Sequence, residues 1–252
     1  MTFRDLHLGD RPLLLPNAWD FASGAALAEA GFPAIGTTSL GVAAAAGRPD
    51  GENATRDETV RLARALVRLP VPVTVDVEGG FSDRPGEVAA LAGELASYGV
   101  AGINIEDGRA DGSLRPVKEH AALVEAVKAA APDLFVNART DAHWLPGHEA
   151  EALDRVRAYT AAGADGIFVP GIAAERDVRG VVAATPLPLN VLFLPGRTAV
   201  DELAGWGVRR VSYGSLLFRA ALRAAVTTAL EQAAPAGVPS YADVQRLVAE
   251  TS

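Results

Sequence analysis

Eight short apolar segments alternate with helical patterns along the chain, and this alternation restricts its fold more than any other feature. Short strands separated by helices indicate βαβ units and a parallel sheet. Eight such units in about 250 residues favour an α/β fold, a closed (β/α)8 barrel of the TIM type. Because the composition does not change along the sequence, we expect residues 1–252 to form one domain. An open doubly wound sheet is the alternative, but no GxGxxG fingerprint follows the first predicted strand.

The predicted elements follow from the spacing of apolar residues and from the Gly and Pro residues that end them. Strands are predicted at 13–15, 34–39, 73–78, 101–106, 134–139, 165–169, 189–193 and 209–213. Helices are predicted at 22–30, 55–68, 85–98, 116–131, 149–162, 173–184, 199–206, 215–231 and 241–250. Thr55 and Glu58 have the spacing of a capping box. The Gly- and Ala-rich stretch 41–51 is expected to be a loop.

The predicted helix at 215–231 is unusually apolar, because its only charged residues are Arg219, Arg223 and Glu231. The two arginines are four residues apart and share one stripe of the helix. A helix that is apolar on most of its circumference is buried on more than one side. We therefore expect the C-terminal helical segment, 215–252, to pack against another subunit of a homo-oligomer. A C-terminal tail that folds over the helix is the alternative.

Composition argues against several classes of function. The net charge of -8 argues against nucleic acid as a partner. No run of 18 or more apolar residues is present, so we expect no membrane span. The first residues are polar and charged where a signal peptide has its apolar core, which predicts a cytoplasmic protein. The absence of Cys excludes disulfides, thiolate nucleophiles and Cys-ligated metals.

Asp76 and Glu78 end the apolar, β-branched run that begins at Val73. Since side chains alternate along a strand, these two carboxylates are expected to point the same way. Two acids on one face of a buried strand are costly unless they bind a cation or a strong hydrogen-bond donor. The alternative is a strand end whose acids reach solvent.

Polar side chains also follow the neighbouring strands. In a parallel barrel the carboxyl ends of all strands gather at one rim, where active sites lie. The second to fifth predicted strands place there Thr37, Thr38, Ser39, Asp76, Glu78, Asn104, Glu106, Asn137, Arg139 and Asp141. If they converged, the carboxylates of Asp76, Glu78 and Glu106 would repel one another unless a hard divalent cation lay between them. Oxygen ligands without His or Cys suit Mg²⁺ or Mn²⁺ better than zinc.

The same rim offers groups that bind a carboxylic acid. Arg139 is expected to bind a substrate carboxylate bidentately. The backbone N–H groups of Ser39 and Leu40 lie in a loop of small residues that suits a second carboxylate oxygen. With a metal ion, such a site polarises a 2-oxo-acid and stabilises an enolate. The sequence therefore predicts a small 2-oxo-acid as the partner.

Five motifs together resemble the isocitrate lyase/phosphoenolpyruvate mutase superfamily, over roughly residues 16–223. They are Pro16-Asn17-Ala18-Trp19-Asp20, Thr38-Ser39-Leu40-Gly41 with Gly47-Arg48-Pro49-Asp50, Val75-Asp76-Val77-Glu78-Gly79-Gly80-Phe81, Gly99-Val100-Ala101-Gly102-Ile103-Asn104-Ile105-Glu106-Asp107, and Asn137-Ala138-Arg139-Thr140-Asp141. The resemblance implies a (β/α)8 barrel in a homotetramer that exchanges its eighth helix between subunits; a dimer is the other oligomer expected. It also implies Mg²⁺ and the cleavage or rearrangement of a C–C or P–C bond beside a 2-oxo-acid, through an enolate.

The resemblance also implies roles for single residues. Asp76, Glu78 and Glu106 match the metal cluster, directly or through water, and Asp50 matches an acid that supports the waters of the metal. Ser39 and Leu40 match the carboxylate-binding loop, Thr38 before them is also expected to bind the substrate, and Arg139 matches the arginine that binds the substrate carboxylate. Trp19 is expected to face the pocket or to pack at the rim. Arg139, Glu106 and Asp50 are the expected catalytic residues.

Some departures from the family pattern bear on the reaction. The loop after Glu106 lacks the Lys-Lys-Cys-Gly-His motif of the isocitrate and methylisocitrate lyases and the Lys and Asn of the phosphonate mutases. Pro170 replaces a mutase His, and Glu78 stands where Asp is commoner. We therefore expect a Mg²⁺-dependent lyase or hydrolase that cleaves a C–C bond of a small 2-oxo- or 2-hydroxy-dicarboxylate. The alternatives are a P–C mutase or hydrolase and a non-catalytic oxo-acid-binding protein.

Overall fold

A parallel sheet surrounded by helices forms the fold in the computed structural model, which describes residues 2–249. The strands are β1 (Leu13–Leu15), β2 (Asn17–Ala18), β3 (Ile35–Thr37), β4 (Val73–Asp76), β5 (Gly102–Glu106), β6 (Phe135–Arg139), β7 (Gly166–Val169), β8 (Leu189–Leu192) and β9 (Arg210–Ser212). The helices are α1 (Phe21–Glu29), α2 (Ser39–Ala45), α3 (Arg56–Leu66), α4 (Pro85–Ser97), α5 (Val117–Ala130), α6 (Ala152–Ala161), α7 (Glu175–Ala184), α8 (Val200–Gly205), α9 (Leu216–Glu231) and α10 (Tyr241–Ala249). Within residues 2–249, no helix is both long and apolar enough to cross a membrane.

Pro16 divides the first strand of the sheet into two parts, and the two parts close the barrel. β1 pairs with β9, whereas β2 pairs with β3, and the strand order is β1-β9-β8-β7-β6-β5-β4-β3-β2. Proline has no backbone N–H to donate to a neighbouring strand, but the Pro16 carbonyl accepts from the Gly36 N–H at 2.9 Å. The eight predicted strands are thus nine segments of one parallel, TIM-type barrel.

The stretch predicted as a loop at 41–51 is partly helical, so that prediction is wrong for residues 41–45. α2 covers Ser39–Ala45, because alanine favours the helix over other conformations. Gly41 permits a close approach here, since a Cβ at this position would lie 2.8 Å from the Cβ of Trp19. The predicted helix at 149–162 begins with a 3-10 turn at Glu149–Glu151 before α6. Glu250, the predicted end of the last helix, lies outside the described residues.

The outer face of the strands, which the helices cover, is apolar, and the middle of the barrel interior is polar. One large apolar cluster joins the strands to the helices and includes Val75, Ile103, Val136, Ile167, Val191 and Val211. The interior carries buried polar residues, namely Asn104, Asn137, Asn190 and Arg210. Its N-terminal end is filled by a second apolar cluster of Phe3, Leu13, Leu15, Ala34 and Phe135. The polar layer lies between this apolar end and the rim at the carboxyl ends of the strands.

α9 exposes most of its apolar side chains. Leu222, Val226 and Leu230 are 52%, 55% and 78% exposed, whereas Phe218 is buried. α10 packs against α1, and Arg246 of α10 forms an ion pair with Glu29 of α1 at 2.5 Å. The tail thus lies on another helix, while α9 keeps an open apolar face. Packing of this face against a second subunit stays a prediction.

Candidate active site

A cavity opens at the carboxyl ends of the strands. Its lining includes six residues expected at the site from the sequence: Thr38, Ser39, Leu40, Asp50, Asp76 and Arg139. Three expected residues, Trp19, Glu78 and Glu106, are not among the lining residues. The lining also contains Asn17, Asn104, Trp144, Phe168, Pro170, Leu192, Ser212, Gly214 and Ser215. Six of the nine expected site residues are therefore brought to one opening.

Arg139 lies at the centre of the charged groups. Glu106 on β5 is its register partner on β6, and Glu106 Oε2 lies 2.5 Å from Arg139 Nη1. The guanidinium also donates to both oxygens of Asp141, from Nε at 2.6 Å and from Nη2 at 3.1 Å. Burial raises the pKa of Glu106 well above its ordinary value, although the charge of Arg139 opposes this shift. The arginine is thus held in place by two acids while it faces the cavity.

Asp76 is the last residue of β4 and is buried against the cavity. Its backbone N–H donates to the Thr37 hydroxyl at 2.8 Å, and its Oδ1 accepts from the Glu78 N–H at 3.2 Å. Burial raises the pKa of Asp76 to about 6, opposed by the charge of Arg139 and reinforced by that of Asp50. Burial at the cavity also raises the pKa of Asp50, while a hydrogen bond with the Ser39 side chain lowers it. The two carboxylates therefore influence each other electrostatically.

Glu78 does not continue the strand that carries Asp76. β4 ends at Asp76, and Glu78 has a positive φ of 50°, so strand alternation does not set its direction. Its carboxylate accepts from the Thr55 hydroxyl at 2.7 Å and from the Asn53 N–H at 3.0 Å. Thr55 consequently makes no side-chain capping bond at α3, and the predicted capping box is wrong. Glu78 holds the loop that precedes α3.

The predicted metal ligands do not converge into one cluster. Among residues 2–249, no group of three or more His, Asp or Glu side chains is arranged to hold a metal ion. Glu106 pairs with Arg139, and Glu78 binds the loop before α3. Asp76 and Asp50 remain at the cavity, and the buried Glu106 Oε2 lies beside them in contact with Arg139 Nη1. Since Mg²⁺ keeps several waters and needs only one or two carboxylates, these oxygen groups fit a hydrated Mg²⁺.

Trp19 and Asn17 connect the rim to α9 and to the residues that follow β9. Trp19 packs edge-on against Phe218 of α9, with 5.4 Å between the ring centroids, so it lies at the rim rather than in the cavity lining. Asn17 Oδ1 accepts from the N–H groups of Tyr213 and Gly214 at 3.0 and 2.8 Å. The sequence assigned no role to Asn17, although this residue belongs to the first of the five motifs.

Asn104 and Ser212 also line the cavity without having been assigned a role there. Because Asn104 alternates with Glu106 along the strand, the sequence predicted Asn104 at the rim. It did not predict which residues form hydrogen bonds with Asn104. Ser212 received no role because the end of the last predicted strand carries no charged side chain. Their placement depends on hydrogen bonds across the barrel interior, which local sequence patterns do not show.

Comparison with known proteins identifies the family. A family model described as phosphoenolpyruvate phosphomutase matches residues 3–233. An uncharacterized protein of Mycobacterium tuberculosis is 43% identical, over 98% of this chain and 96% of its own. The 2-methylisocitrate lyase of Bacillus subtilis is 35% identical, over 88% of this chain and 77% of its own.

A solved structure agrees with these sequence relatives. The phosphoenolpyruvate phosphomutase of Streptomyces platensis superposes with a TM-score of 0.86 at 25% identity, covering 97% of this chain and 93% of that chain. The resemblance predicted from five motifs is thus confirmed along almost the whole chain. The chain belongs to the isocitrate lyase/phosphoenolpyruvate mutase superfamily, and it is a lyase-like enzyme of that superfamily.

Proposed function

We propose that this enzyme is a Mg²⁺-dependent lyase or hydrolase that cleaves a C–C bond of a small 2-oxo- or 2-hydroxy-dicarboxylate through an enolate. The observation that carries the proposal is the presence of Asp76, Asp50 and Arg139 around one cavity. Carboxylates beside a guanidinium suit a substrate that presents both a metal-chelating oxygen and a free carboxylate. The 2-methylisocitrate lyase among the relatives is consistent with cleavage of a C–C bond.

The acidic residues would hold the metal ion. Asp76 is the assigned ligand, and Asp50 and Glu106 act on the ion or its waters. Glu78 contributes through its charge and by ordering the loop at residues 53–55. Bound Mg²⁺ (or Mn²⁺) would supply Lewis acidity at the 2-oxo or 2-hydroxy group. These carboxylates are costly to ionise without a cation, since burial raises the pKa of Asp76 and Glu106.

The substrate carboxylates are assigned to two further groups. Arg139 binds one carboxylate through the edge of its guanidinium that faces the cavity. The backbone N–H groups of Ser39 and Leu40 bind a second carboxylate oxygen at the start of α2, with Thr38 beside them. Together these contacts fix the bond to be cleaved next to the 2-oxo or 2-hydroxy carbon.

Proton transfer is assigned to oxygen acids and water, because the chain has no Cys and the acids that line the cavity are Asp50 and Asp76. In cleavage of a 2-hydroxy-dicarboxylate, a base takes the hydroxyl proton, and the oxygen left behind forms a C=O bond as the C–C bond breaks. The electron pair of the broken bond becomes the enolate of the other fragment. Asp50 is the assigned base, because its carboxylate lines the cavity. Water or a group in the loop after Glu106 then protonates the enolate carbon. In the hydrolase variant, water attacks the carbonyl carbon before the bond breaks.

Turnover tests this proposal. Full-length protein with Mg²⁺ is incubated with oxaloacetate, substituted malates, 2-methylisocitrate and phosphonopyruvate, and the products are identified by NMR. We expect C–C cleavage of at least one dicarboxylate, lost in Asp76→Asn and retained in Asp201→Asn, whose side chain is 84% exposed. Conversion of phosphonopyruvate alone favours a P–C mutase or hydrolase. No conversion, with stabilisation by oxo-acids, favours a non-catalytic binding protein.

We also propose that the protein is cytoplasmic and forms a homo-oligomer, a tetramer or a dimer, through residues 215–252. The open apolar face of α9 supports this assembly, because contiguous exposed apolar surface marks interaction sites. Phe218 joins α9 to Trp19 at the rim, so assembly and the active-site opening are physically connected.

A further inference from the structure

Arg210 is an arginine buried inside the barrel without an acidic partner. It is 1% exposed, and among residues 2–249 no carboxylate lies within ion-pair distance of its guanidinium. Its Nη1 is buried without a hydrogen-bonding partner. Burial lowers its pKa to about 9, and Asp76 is the charged group that opposes this shift. An unpaired buried charge destabilises a fold, so stability does not account for this residue.

The guanidinium donates hydrogen bonds to two residues that line the cavity. Arg210 Nη2 donates to Asn104 Oδ1 at 3.3 Å, across the barrel from β9 to β5, and Arg210 Nε donates to Ser212 Oγ at 3.3 Å. Asn137 Nδ2 donates to the same Asn104 oxygen at 2.8 Å. Because a guanidinium has donors only, the Asn104 atom that faces it is the carbonyl oxygen. The donors of Arg210 and Asn137 therefore fix the orientation of the Asn104 amide.

This orientation leaves a donor for the cavity. With its oxygen turned toward Arg210 and Asn137, Asn104 presents Nδ2 on the side where it lines the cavity. Asn104 is also the register partner of Asp76, the assigned metal ligand. An N–H donor next to the metal site, with a positive charge beneath it, suits an oxygen on which negative charge develops.

We propose that Asn104 is a substrate-binding residue that donates to the enolate oxygen, and that Arg210 is a positioning residue that orients Asn104 and places a positive charge under it. This inference rests on the proposed enolate chemistry. It adds a hydrogen-bond donor beside Asp76, on the neighbouring strand.

Oxalate, an analogue of the enolate of a 2-oxo-acid, serves as the probe in isothermal titration calorimetry with Mg²⁺ present. We expect Arg210→Met and Asn104→Asp each to weaken oxalate binding at least tenfold. Arg210→Lys, which keeps the charge and a donor, should stay within about threefold of wild type. The double variant Asn104→Asp/Arg210→Met should lose no more than the larger single loss, because one residue acts through the other. Arg4→Met is the control, since Arg4 lies near the same end of the barrel with a 54% exposed side chain.

Calorimetric unfolding separates this role from a structural one. Arg210→Met should keep or raise the melting temperature, because it removes an unpaired buried charge. Asn104→Asp should also keep or raise it by giving Arg210 an acidic partner, while it loses the donor that faces the cavity. Unchanged oxalate affinity in both variants overturns the inference and leaves the proposed function intact. The inference is also overturned if Arg210→Met lowers the melting temperature and Arg210→Lys lowers it as well. A wild-type protein that does not bind oxalate overturns both the inference and the proposed function.

Discussion

Glu106 and Arg139 are register partners on neighbouring parallel strands, and their side chains form a 2.5 Å ion pair beside the cavity. Asp141 holds the same guanidinium from its other side. The residue assigned to the substrate and a residue assigned to the metal are therefore bound to each other. Under the proposed function, metal and substrate binding must be coupled through this pair.

Glu106→Gln tests the assignment of Glu106. Removal of the carboxylate deletes an acidic group that interacts electrostatically with Asp76, so Mg²⁺ affinity should fall about tenfold or more by calorimetric titration. Glu125→Gln on α5, whose residue is exposed, is the matched control and should bind Mg²⁺ like wild type. An affinity that does not change in Glu106→Gln means that the metal site has been placed wrongly.

Asp76 should make stability depend on pH in the absence of Mg²⁺. Its pKa is raised from 3.8 to about 6 by burial, so the folded protein favours the protonated form. The stabilisation is fully present below about pH 4 and is lost as the pH rises through 6. Relative to Asp76→Asn, wild type should lose on the order of 2 kcal/mol of unfolding free energy over this interval.

Urea unfolding at pH 4 and pH 7 measures this difference. Added Mg²⁺ should reduce the loss at pH 7, because it stabilises the ionised carboxylate. A wild-type protein that gains stability over Asp76→Asn between these two pH values would show that the carboxylate is not desolvated in the folded state.

The hydrogen bond between Thr55 and Glu78 predicts a coupling between distant segments. Thr55→Val should lower the unfolding free energy by about 1–2 kcal/mol, because it leaves a buried carboxylate without one donor. Thr55→Ser keeps the hydroxyl and should cost less. In a Glu78→Ala background, Thr55→Val should cost almost nothing. A loss that persists in that background would indicate that Thr55 caps α3 instead.

The open face of α9 predicts a defined effect on assembly. Leu222→Glu combined with Val226→Glu should shift the protein toward monomer in sedimentation velocity, because both side chains are more than half exposed in the single chain. The circular dichroism spectrum should not change. Leu8→Glu, at an exposed position outside residues 215–252, is the control. An unchanged sedimentation profile in the double variant would exclude α9 as the interface.

Periodicity predicted the barrel because each βαβ unit carries its own pattern of apolar residues. The α2 helix was missed because Gly41 and the alanines around it carry no polar face from which a period can be read. Glu78 deviates from strand alternation because a positive φ at that residue turns the chain, and a positive φ is not expected for glutamate.

The site was predictable where it depends on strand ends, as for Asp76 and Arg139. It was not predictable where it depends on contacts across the barrel, as between Arg210 and Asn104. The two residues are 106 positions apart, and only closure of the barrel brings them together. The residues at each strand end can thus be predicted from the local sequence, whereas the contact between Arg210 and Asn104 forms only in the complete fold.

Binding of oxalate, measured with and without Mg²⁺, shows whether the rim is a metal-assisted enolate site. In isothermal titration calorimetry, wild-type protein should bind oxalate tightly only when Mg²⁺ is present, and Asp76→Asn should reduce this affinity at least tenfold. Binding of equal strength without Mg²⁺, or wild-type affinity in Asp76→Asn, would contradict a metal-assisted enolate site at this rim.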